Sequence, residues 1–402
     1  MTHSRIAIST DQPDQTIADL YRCWENGMVP CPLSSRLPRD KQNELAASVG
    51  ACNQGISTFE VKTKSNIEDY PPDAISSILF TSGSTGTPKA VVHTFNNHIA
   101  SAKRSNSTIP LGSGDKWLLS LPLYHVSGLS LLFRTSLAGA SLINSSDKIA
   151  TSIINNNITH ISLVPTQLEQ LLQTGDTYPT LKHILLGGAP IPETLIKRAL
   201  DKLSCTIHTG YGLTETASHI YTESHHKDSP QPTIHHNPET LCIIKGEICV
   251  KGPSLCLGYS DSKNITQTQL NLDSDGWFHT GDLGQIDSNG RLSITGRKDT
   301  MFISGGENIH PEEIEKHLLT ISSIEAAIVI PVMDETFGHR PIAYIKTNGN
   351  LDSEAIKETL RQTLPNFKVP DNLYNWPNSM PNETKLSRKR LISHHQLYSI
   401  QA

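Results

Sequence analysis

Residues 81–90 read Thr81-Ser82-Gly83-Ser84-Thr85-Gly86-Thr87-Pro88-Lys89-Ala90, a run of hydroxyls and glycines that closes on a lysine. Backbone N–H groups, side-chain hydroxyls and one cation suit a group rich in anionic oxygens, a nucleoside triphosphate first among them. The loop is not of the Walker type, because no Gly-Lys pair followed by Ser or Thr occurs in it. The same composition also makes ordinary polar turns. Its meaning therefore depends on what else the chain carries.

Five further segments supply matching chemistry. Tyr124, His125 and Ser127 stand together before Gly128, offering an aromatic ring, an imidazole and a hydroxyl. Gly187-Gly188-Ala189-Pro190 would let a flat ring approach the backbone. Tyr211, Gly212, Thr214 and Glu215 offer an aromatic face, a hydroxyl and a carboxylate. Asp282 sits in a glycine-flanked turn, Thr280-Gly281-Asp282-Leu283-Gly284. Gly296-Arg297-Lys298-Asp299 is followed by Ser304-Gly305-Gly306-Glu307-Asn308. Singly, Asp282 can cap a turn, Glu215 can open a helix and Tyr211 can be core. The ordered set points to nucleotide chemistry.

These segments need a scaffold, and the apolar pattern supplies one. Residues 75–80, 117–121, 160–164 and His183–Leu186 read as buried strands; 97–107, Pro165–Gln173 and 192–203 read as helices between them. That alternation predicts α/β layers around a largely parallel sheet. Residues 222–240 read as a polar loop, and their histidines 225, 226, 235 and 236 as solvated, since no cysteine or carboxylate joins them at metal-ligand spacing. Between 241 and 296 short strands and glycine turns predict a β-rich subdomain. Beyond 300, a helix at Pro311–Leu318, strands at 324–331 and 341–346 and a helix at 353–364 predict a small α+β domain.

Composition narrows the class. A chain of 402 residues can bury a large core and form more than one domain. A formal charge of −5 without a long basic block excludes an obvious nucleic-acid or anionic-membrane surface. Seven cysteines without a Cys-x-x-Cys pair, and an N-terminus without the layout of a signal peptide, predict a cytoplasmic protein. A homo-oligomer is left open.

The ordered set resembles the superfamily of adenylate-forming enzymes, which includes acyl-CoA synthetases and luciferases, from about residue 70 to the end. Val91-Val92-His93-Thr94, residues 118–128, Leu163-Val164-Pro165-Thr166-Gln167-Leu168, Ile303-Ser304-Gly305-Gly306-Glu307 and Phe337-Gly338-His339-Arg340-Pro341 are similar to the o-succinylbenzoate–CoA ligases of menaquinone biosynthesis. The resemblance implies a large adenylation domain over 1–298 and a small swivelling domain over 299–402, with Asp299 at the hinge. It places the β- and γ-phosphates of ATP on Thr81, Ser82, Gly83, Ser84, Thr85, Gly86 and Lys89, with Thr85 and Glu215 near Mg2+. Adenine would stack on Tyr211, with Gly188, Ala189, Pro190 and Gly212 around it, and Asp282 and Arg297 would take the ribose. His93, Ser127, Gly187, Ser304, Gly305 and Gly306 would line the acid's site, and His125, Thr214, Glu215 and Lys385 would act in catalysis. The family's Gly-Lys pair is Thr384-Lys385 here, and Lys389 is the runner-up cation. Thr87 and Ala90 depart from residues common in the phosphate loop, and about 74 residues precede it, fewer than family members usually carry. The large domain is accordingly expected to be shortened at its start.

The activity implied is a two-step ligation. ATP activates a carboxylate as an acyl-adenylate with loss of pyrophosphate, and the coenzyme A thiol then displaces AMP. Another acyl- or aryl-CoA ligase, an adenylation domain loading a carrier protein, and a non-catalytic nucleotide binder are the competing readings.

Overall fold

A computed structural model describes residues 4–52, 66–81, 88–262, 269–347, 349, 352–377 and 388–399. The chain begins with strand β1 (Arg5–Ser9), helix α1 (Pro13–Glu25), strand β2 (Val29–Leu33) and helix α2 (Arg39–Ser48), and β1 runs parallel to β2. Proline starts α1, where a missing N–H costs nothing, and Leu20, Cys23 and Trp24 fall on its buried face. The Trp24 ring meets Tyr21, Phe95 and Phe133 edge-on at 5.1, 5.5 and 5.7 Å between centroids, and its Nε1 donates to the Ser76 carbonyl at 2.7 Å. A buried indole needs such an acceptor.

The apolar run at 75–80 becomes β3 (Ile75–Thr81), which returns antiparallel as β4 (Lys89–Thr94). Thr94 and Asn97 then cap each other's backbone at the start of α3 (Phe95–Thr108). The βα alternation follows: β5 (Lys116–Leu118), α4 (Val126–Ala138), β6 (Ser141–Ile143), α5 (Ile149–Asn156), β7 (His160–Leu163), α6 (Pro165–Gln173), β8 (His183–Leu186), α7 (Glu193–Lys202) and β9 (Thr206–Leu213). With β10 (Ser218–His225) and β11 (Thr233–His235) they form a seven-stranded sheet of order β11-β10-β9-β8-β7-β5-β6. The strands from β5 to β9 are parallel, as expected, and the last two are antiparallel. Ile161, Leu163, Ile184, Leu186 and Ile207 pack against Leu168, Leu195 and Ala199 of α6 and α7 on one side.

Two expectations need correction. The strand expected at 117–121 stops at Leu118, and the following residues turn away as a loop. Residues 222–240 do not form a continuous loop, because β10 runs through His225 and β11 covers Thr233–His235. Within these strands polar side chains satisfy one another, Ser224 Oγ bridging His208 Nδ1 at 2.8 Å and His235 Nε2 at 3.0 Å, while residues 226–231 between them are exposed.

The chain continues with β12 (Leu241–Ile244), β13 (Glu247–Val250), β14 (Gly258–Ser260), β15 (Phe278–Ile286) and β16 (Leu292–Arg297). It ends with β17 (Phe302–Ser304), β18 (Glu307–Ile309), α8 (Pro311–Leu318), β19 (Ile324–Asp334), β20 (Gly338–Thr347), α9 (Ser353–Arg361), β21 (Leu373–Asn375) and α10 (Arg388–Ser399). β14 joins β4 and β3 in a three-stranded sheet, and β12-β13-β15-β16 is a separate four-stranded one. Two compact units result, residues 1–242 with 249–278, and residues 243–248 with 279–402. In the second, Ile314, Leu318, Val329, Ala343, Ile345, Ile356 and Leu360 make a core between α8, α9 and the β19-β20-β21 sheet. All seven cysteines are free thiols. Among the described residues no helix is long and apolar enough to cross a membrane.

Candidate active site

Thr81 ends β3 directly opposite Lys89, so the two strands close the phosphate-loop sequence at its base. Ser82, Gly83, Ser84, Thr85 and Gly86 lie outside the described residues. Lys89 is exposed, and its Nζ stands 5.0 Å from the ring centroid of Tyr259. Tyr259 belongs to β14, where it pairs with Val91 of β4. Its hydroxyl donates to Glu215 Oε1 at 2.9 Å. One ring thus links the lysine of the loop to a carboxylate far away in sequence.

Glu215 follows the end of β9 in a tight turn. Gly212 lies so close to the returning strand that a Cβ would be 2.2 Å from the Ser218 carbonyl oxygen. Ala217 (φ 53°) and Ser218 (φ 116°) hold left-handed backbone that side chains disfavour. The Thr216 hydroxyl fixes the turn by donating to the Ser218 carbonyl at 2.6 Å and accepting from the Leu213 N–H at 3.0 Å. The Thr214 carbonyl accepts from His93 Nε2 at 2.7 Å. A carbonyl only accepts, so Nε2 carries the proton, and burial pushes the His93 pKa down to about 4 against the pull of that carbonyl. His93, expected to line the acid's site, is fully buried against His98 at 4.7 Å and braces this turn from behind. Gly212→Ala is expected to destabilise the protein by about 2–4 kcal/mol, because backbone rather than a flexible side chain must give way. Thermal denaturation is the measurement.

The carboxyl ends of the parallel strands meet beside it. Gly187 follows β8, and its missing Cβ would lie 3.5 Å from the Gly210 carbonyl of β9. Gly188 takes φ +77°, and Gly188, Ala189 and Pro190 are exposed. Tyr211 and Thr214 are half-buried and Gly212 exposed. From β5 the chain passes to β6 on one side and then to β7 on the other, which makes the ends of β5 and β7 a topological switch point. Ligands of open α/β sheets bind in such a crevice. His125 stands there as the exposed N-cap of α4, its ring 4.4 Å from Tyr124, with Ser127 in the first turn. Gln167 ties the two loops, accepting from the Val164 N–H at 3.0 Å and donating to the Ser120 carbonyl at 3.4 Å.

Beneath the turn lies a cationic pair that no motif disclosed. Arg134 of α4 is 1% exposed, and its Nη2 donates to Ser218 Oγ at 2.8 Å and His219 Nδ1 at 3.1 Å. Arg104 of α3 donates to the His219 carbonyl at 3.1 Å and Ser254 Oγ at 3.2 Å. Neither meets a carboxylate among the described residues, and burial draws their pKa values down to about 9 and about 10. The available signal was one arginine inside the apolar stretch Val126–Ala138.

The second unit presents Asp282 and Arg297 opposite each other on β15 and β16. Arg297 donates to Asp282 Oδ1 and to Asp299 Oδ1, each at 3.0 Å. Burial works against the guanidinium charge, but Asp299 and Asp282 together raise its pKa above the ordinary value. Thr280–Gly284, expected as a turn, lies within β15, and Glu247 braces that strand by accepting the Gly281 N–H at 2.9 Å and Lys298 Nζ at 3.2 Å. Ser304 is buried at the end of β17, while Gly305 (φ 57°) and Gly306 (φ 88°) turn the chain into β18, Gly305 donating to the Phe337 carbonyl at 2.9 Å. Lys385 lies outside the described residues. Just after it, Arg388 is anchored to Glu315 at 2.6 Å and Glu312 at 2.9 Å, and Lys389 is exposed.

Residues 25–260 match the family described as AMP-binding enzyme, and residues 313–384 match the AMP-binding enzyme C-terminal domain. The chain is 39% identical over 345 residues to the 2-succinylbenzoate–CoA ligase of Salmonella typhimurium, covering 84% of this chain and 73% of that protein. An Escherichia coli MenE variant with bound OSB-AMS is similar in structure, with TM-score 0.79 and 31% identity over 97% of this chain and 86% of that one. The Bacillus subtilis o-succinylbenzoate coenzyme A synthetase in complex with ATP and magnesium ion gives TM-score 0.81 and 26% identity, covering 97% of this chain and 89% of that one. With this fold, this set of segments in this order and matches over most of its length, the chain belongs to the AMP-binding enzyme family.

Proposed function

We propose that this chain is an ATP-dependent 2-succinylbenzoate–CoA ligase, acting in the formation of menaquinone through an acyl-adenylate. The observation that carries the reading is the approach of Gly187 to the Gly210 carbonyl, with the Glu215 turn following on β9, at the carboxyl ends of the parallel strands, in a chain whose relatives bear that name. Exposed backbone at Gly188–Ala189–Pro190 next to Tyr211 fits a purine. Lys89 and Glu215 offer a cation for phosphate oxygens and a carboxylate for the Mg2+ that accompanies ATP. Asp282 offers paired oxygens to the ribose hydroxyls, with Arg297 beside it.

In the first step a carboxylate oxygen of the acid attacks the α-phosphorus and pyrophosphate leaves. We assign the cation that steadies this charge to Lys385. In the second step the CoA sulfur attacks the acyl carbonyl, AMP leaves, and the thiol proton is lost to solvent or a base. 2-Succinylbenzoate is a dicarboxylate, and the uncompensated charges of Arg134 and Arg104 favour a dianionic acid over a neutral-tailed one. His125 and Ser127, at the switch point, are the groups we assign to the acid's ring and polar end. Free thiols throughout suit a reducing compartment, and we place the enzyme in the cytoplasm.

The two steps make different demands on the residues beyond Asp299, and we assign the swivel between them to that residue. Proline fixes φ and blocks the rotation a hinge must absorb. Asp299→Pro is expected to retain ATP–pyrophosphate exchange while losing thioester formation; thioester made at the normal rate would move the hinge elsewhere. The function itself is tested by CoA-dependent AMP release from purified protein with 2-succinylbenzoate, benzoate and a fatty acid. A far better rate with either of the last two would leave the reaction class standing and remove the substrate.

A further inference from the structure

We infer that Tyr259 is a positioning residue for the metal and phosphate end of the site, acting through Glu215 and Lys89. Tyr259 sits in a backbone with little freedom. Gly258 before it takes φ +132°, and a Cβ there would be 2.6 Å from the Gln269 backbone. The Leu257 N–H donates to the Val92 carbonyl at 2.9 Å, and its carbonyl accepts the Leu270 N–H at 2.9 Å. The segment is thus pinned between β4 and the residues after 268. It also grips Glu215 twice, since the Cys256 N–H donates to the Glu215 carbonyl at 2.8 Å and the Tyr259 hydroxyl to Oε1 at 2.9 Å.

That phenol is the one hydrogen-bond donor to the Glu215 carboxylate among the described residues. A charge-assisted bond of this kind fixes the carboxylate's rotation and leaves Oε2 to face a cation. The same ring lies under the Lys89 ammonium, which keeps the lysine's long stem from sampling other directions. Tyr259 therefore organises one anion and one cation without itself touching a reacting atom.

The inference rests on the reading of Glu215 as a Mg2+-facing group, and the test separates the two. Mg2+ is titrated in the 2-succinylbenzoate-dependent ATP–pyrophosphate exchange of wild type, Tyr259→Phe, Glu215→Gln and the double variant, with a thermal midpoint for each. Tyr259→Phe keeps the ring and its contact with Lys89. It is expected to raise the Mg2+ concentration for half-maximal rate about tenfold, with the saturated rate and thermal midpoint nearly unchanged. In the Glu215→Gln background the same change should do nothing further, because the two residues act as one unit. A Mg2+ midpoint that moves in Glu215→Gln but not in Tyr259→Phe overturns the inference alone. One that moves in neither overturns the reading of Glu215 as well. Should Tyr259→Phe fold poorly, additivity in the double variant is the result that sinks the coupling.

Discussion

Lys385→Ala is expected to slow acyl-adenylate formation about 10²–10³-fold while ATP binding stays near that of the parent protein. An oriented cation facing the charge that develops between carboxylate and α-phosphate contributes ~3–4 kcal/mol to the transition state and little to the ground state. The measurement is single-turnover formation of the adenylate, set beside thioester formation from preformed adenylate. The second reaction should be affected far less, since its charge develops on the thioester carbonyl. Equal loss in both, or a large loss only in Lys389→Ala, would remove Lys385 from the role. Arg388 gives this assignment a structural footing, because its guanidinium is tied to Glu312, Glu315 and the Val329 carbonyl where the helix after the lysine begins.

Mild acid is expected to unfold the first unit. His93, His98, His208 and His219 are all buried, and burial lowers each pKa, to about 4 for His93, to about 3 for His208 and well below the ordinary value for the other two. Neighbouring positive charge adds to this: His183, His226, His235 and His160 around His208, and Arg134 and Arg104 beside His219. Hydrogen bonds also depend on the neutral ring, as in the His183 Nδ1 to His208 Nε2 contact of 3.0 Å. The sign follows from linkage. These groups are neutral when folded, so the unfolded chain binds more protons below its own pKa of about 6.5, and stability falls as pH drops from there toward 4. At pH 5 each fully buried histidine costs about 2 kcal/mol relative to neutral pH, and four of them rival the whole stability of a typical domain. Urea unfolding at pH 7.5 and 5.5, followed by tryptophan fluorescence, should show the midpoint falling steeply. A flat stability between those pH values would contradict the buried neutral state. The lowered pKa of Glu247 acts in a lower window, so it does not confuse the result.

Local signals were legible where they are strong. Pro165–Gln173, His183–Leu186 and Pro311–Leu318 carry a proline at the helix start or a short apolar run, and each forms over the expected residues. The order of nucleotide segments was legible because each is a short contiguous word. What escaped depends on contacts that spacing does not encode. Tyr259 reaches Glu215 only because β14 lies against β4. Arg134 looks like an interruption of an apolar helix until Ser218 and His219 are brought to it from a bulged strand. The contact of His93 with the Thr214 carbonyl likewise depends on the pleat of β4, which turns its side chain inward. β10 and β11 were hidden by polar residues that bond to one another across the sheet.

The reaction proposed for this chain is the activation of 2-succinylbenzoate at the expense of ATP. ATP–pyrophosphate exchange measured with and without 2-succinylbenzoate, in Mg2+ and without coenzyme A, tests it most directly. The exchange should require both the acid and Mg2+ and should disappear in Lys385→Ala. Binding of ATP with no acid-dependent exchange would contradict it and leave a nucleotide-binding protein without the ligase reaction.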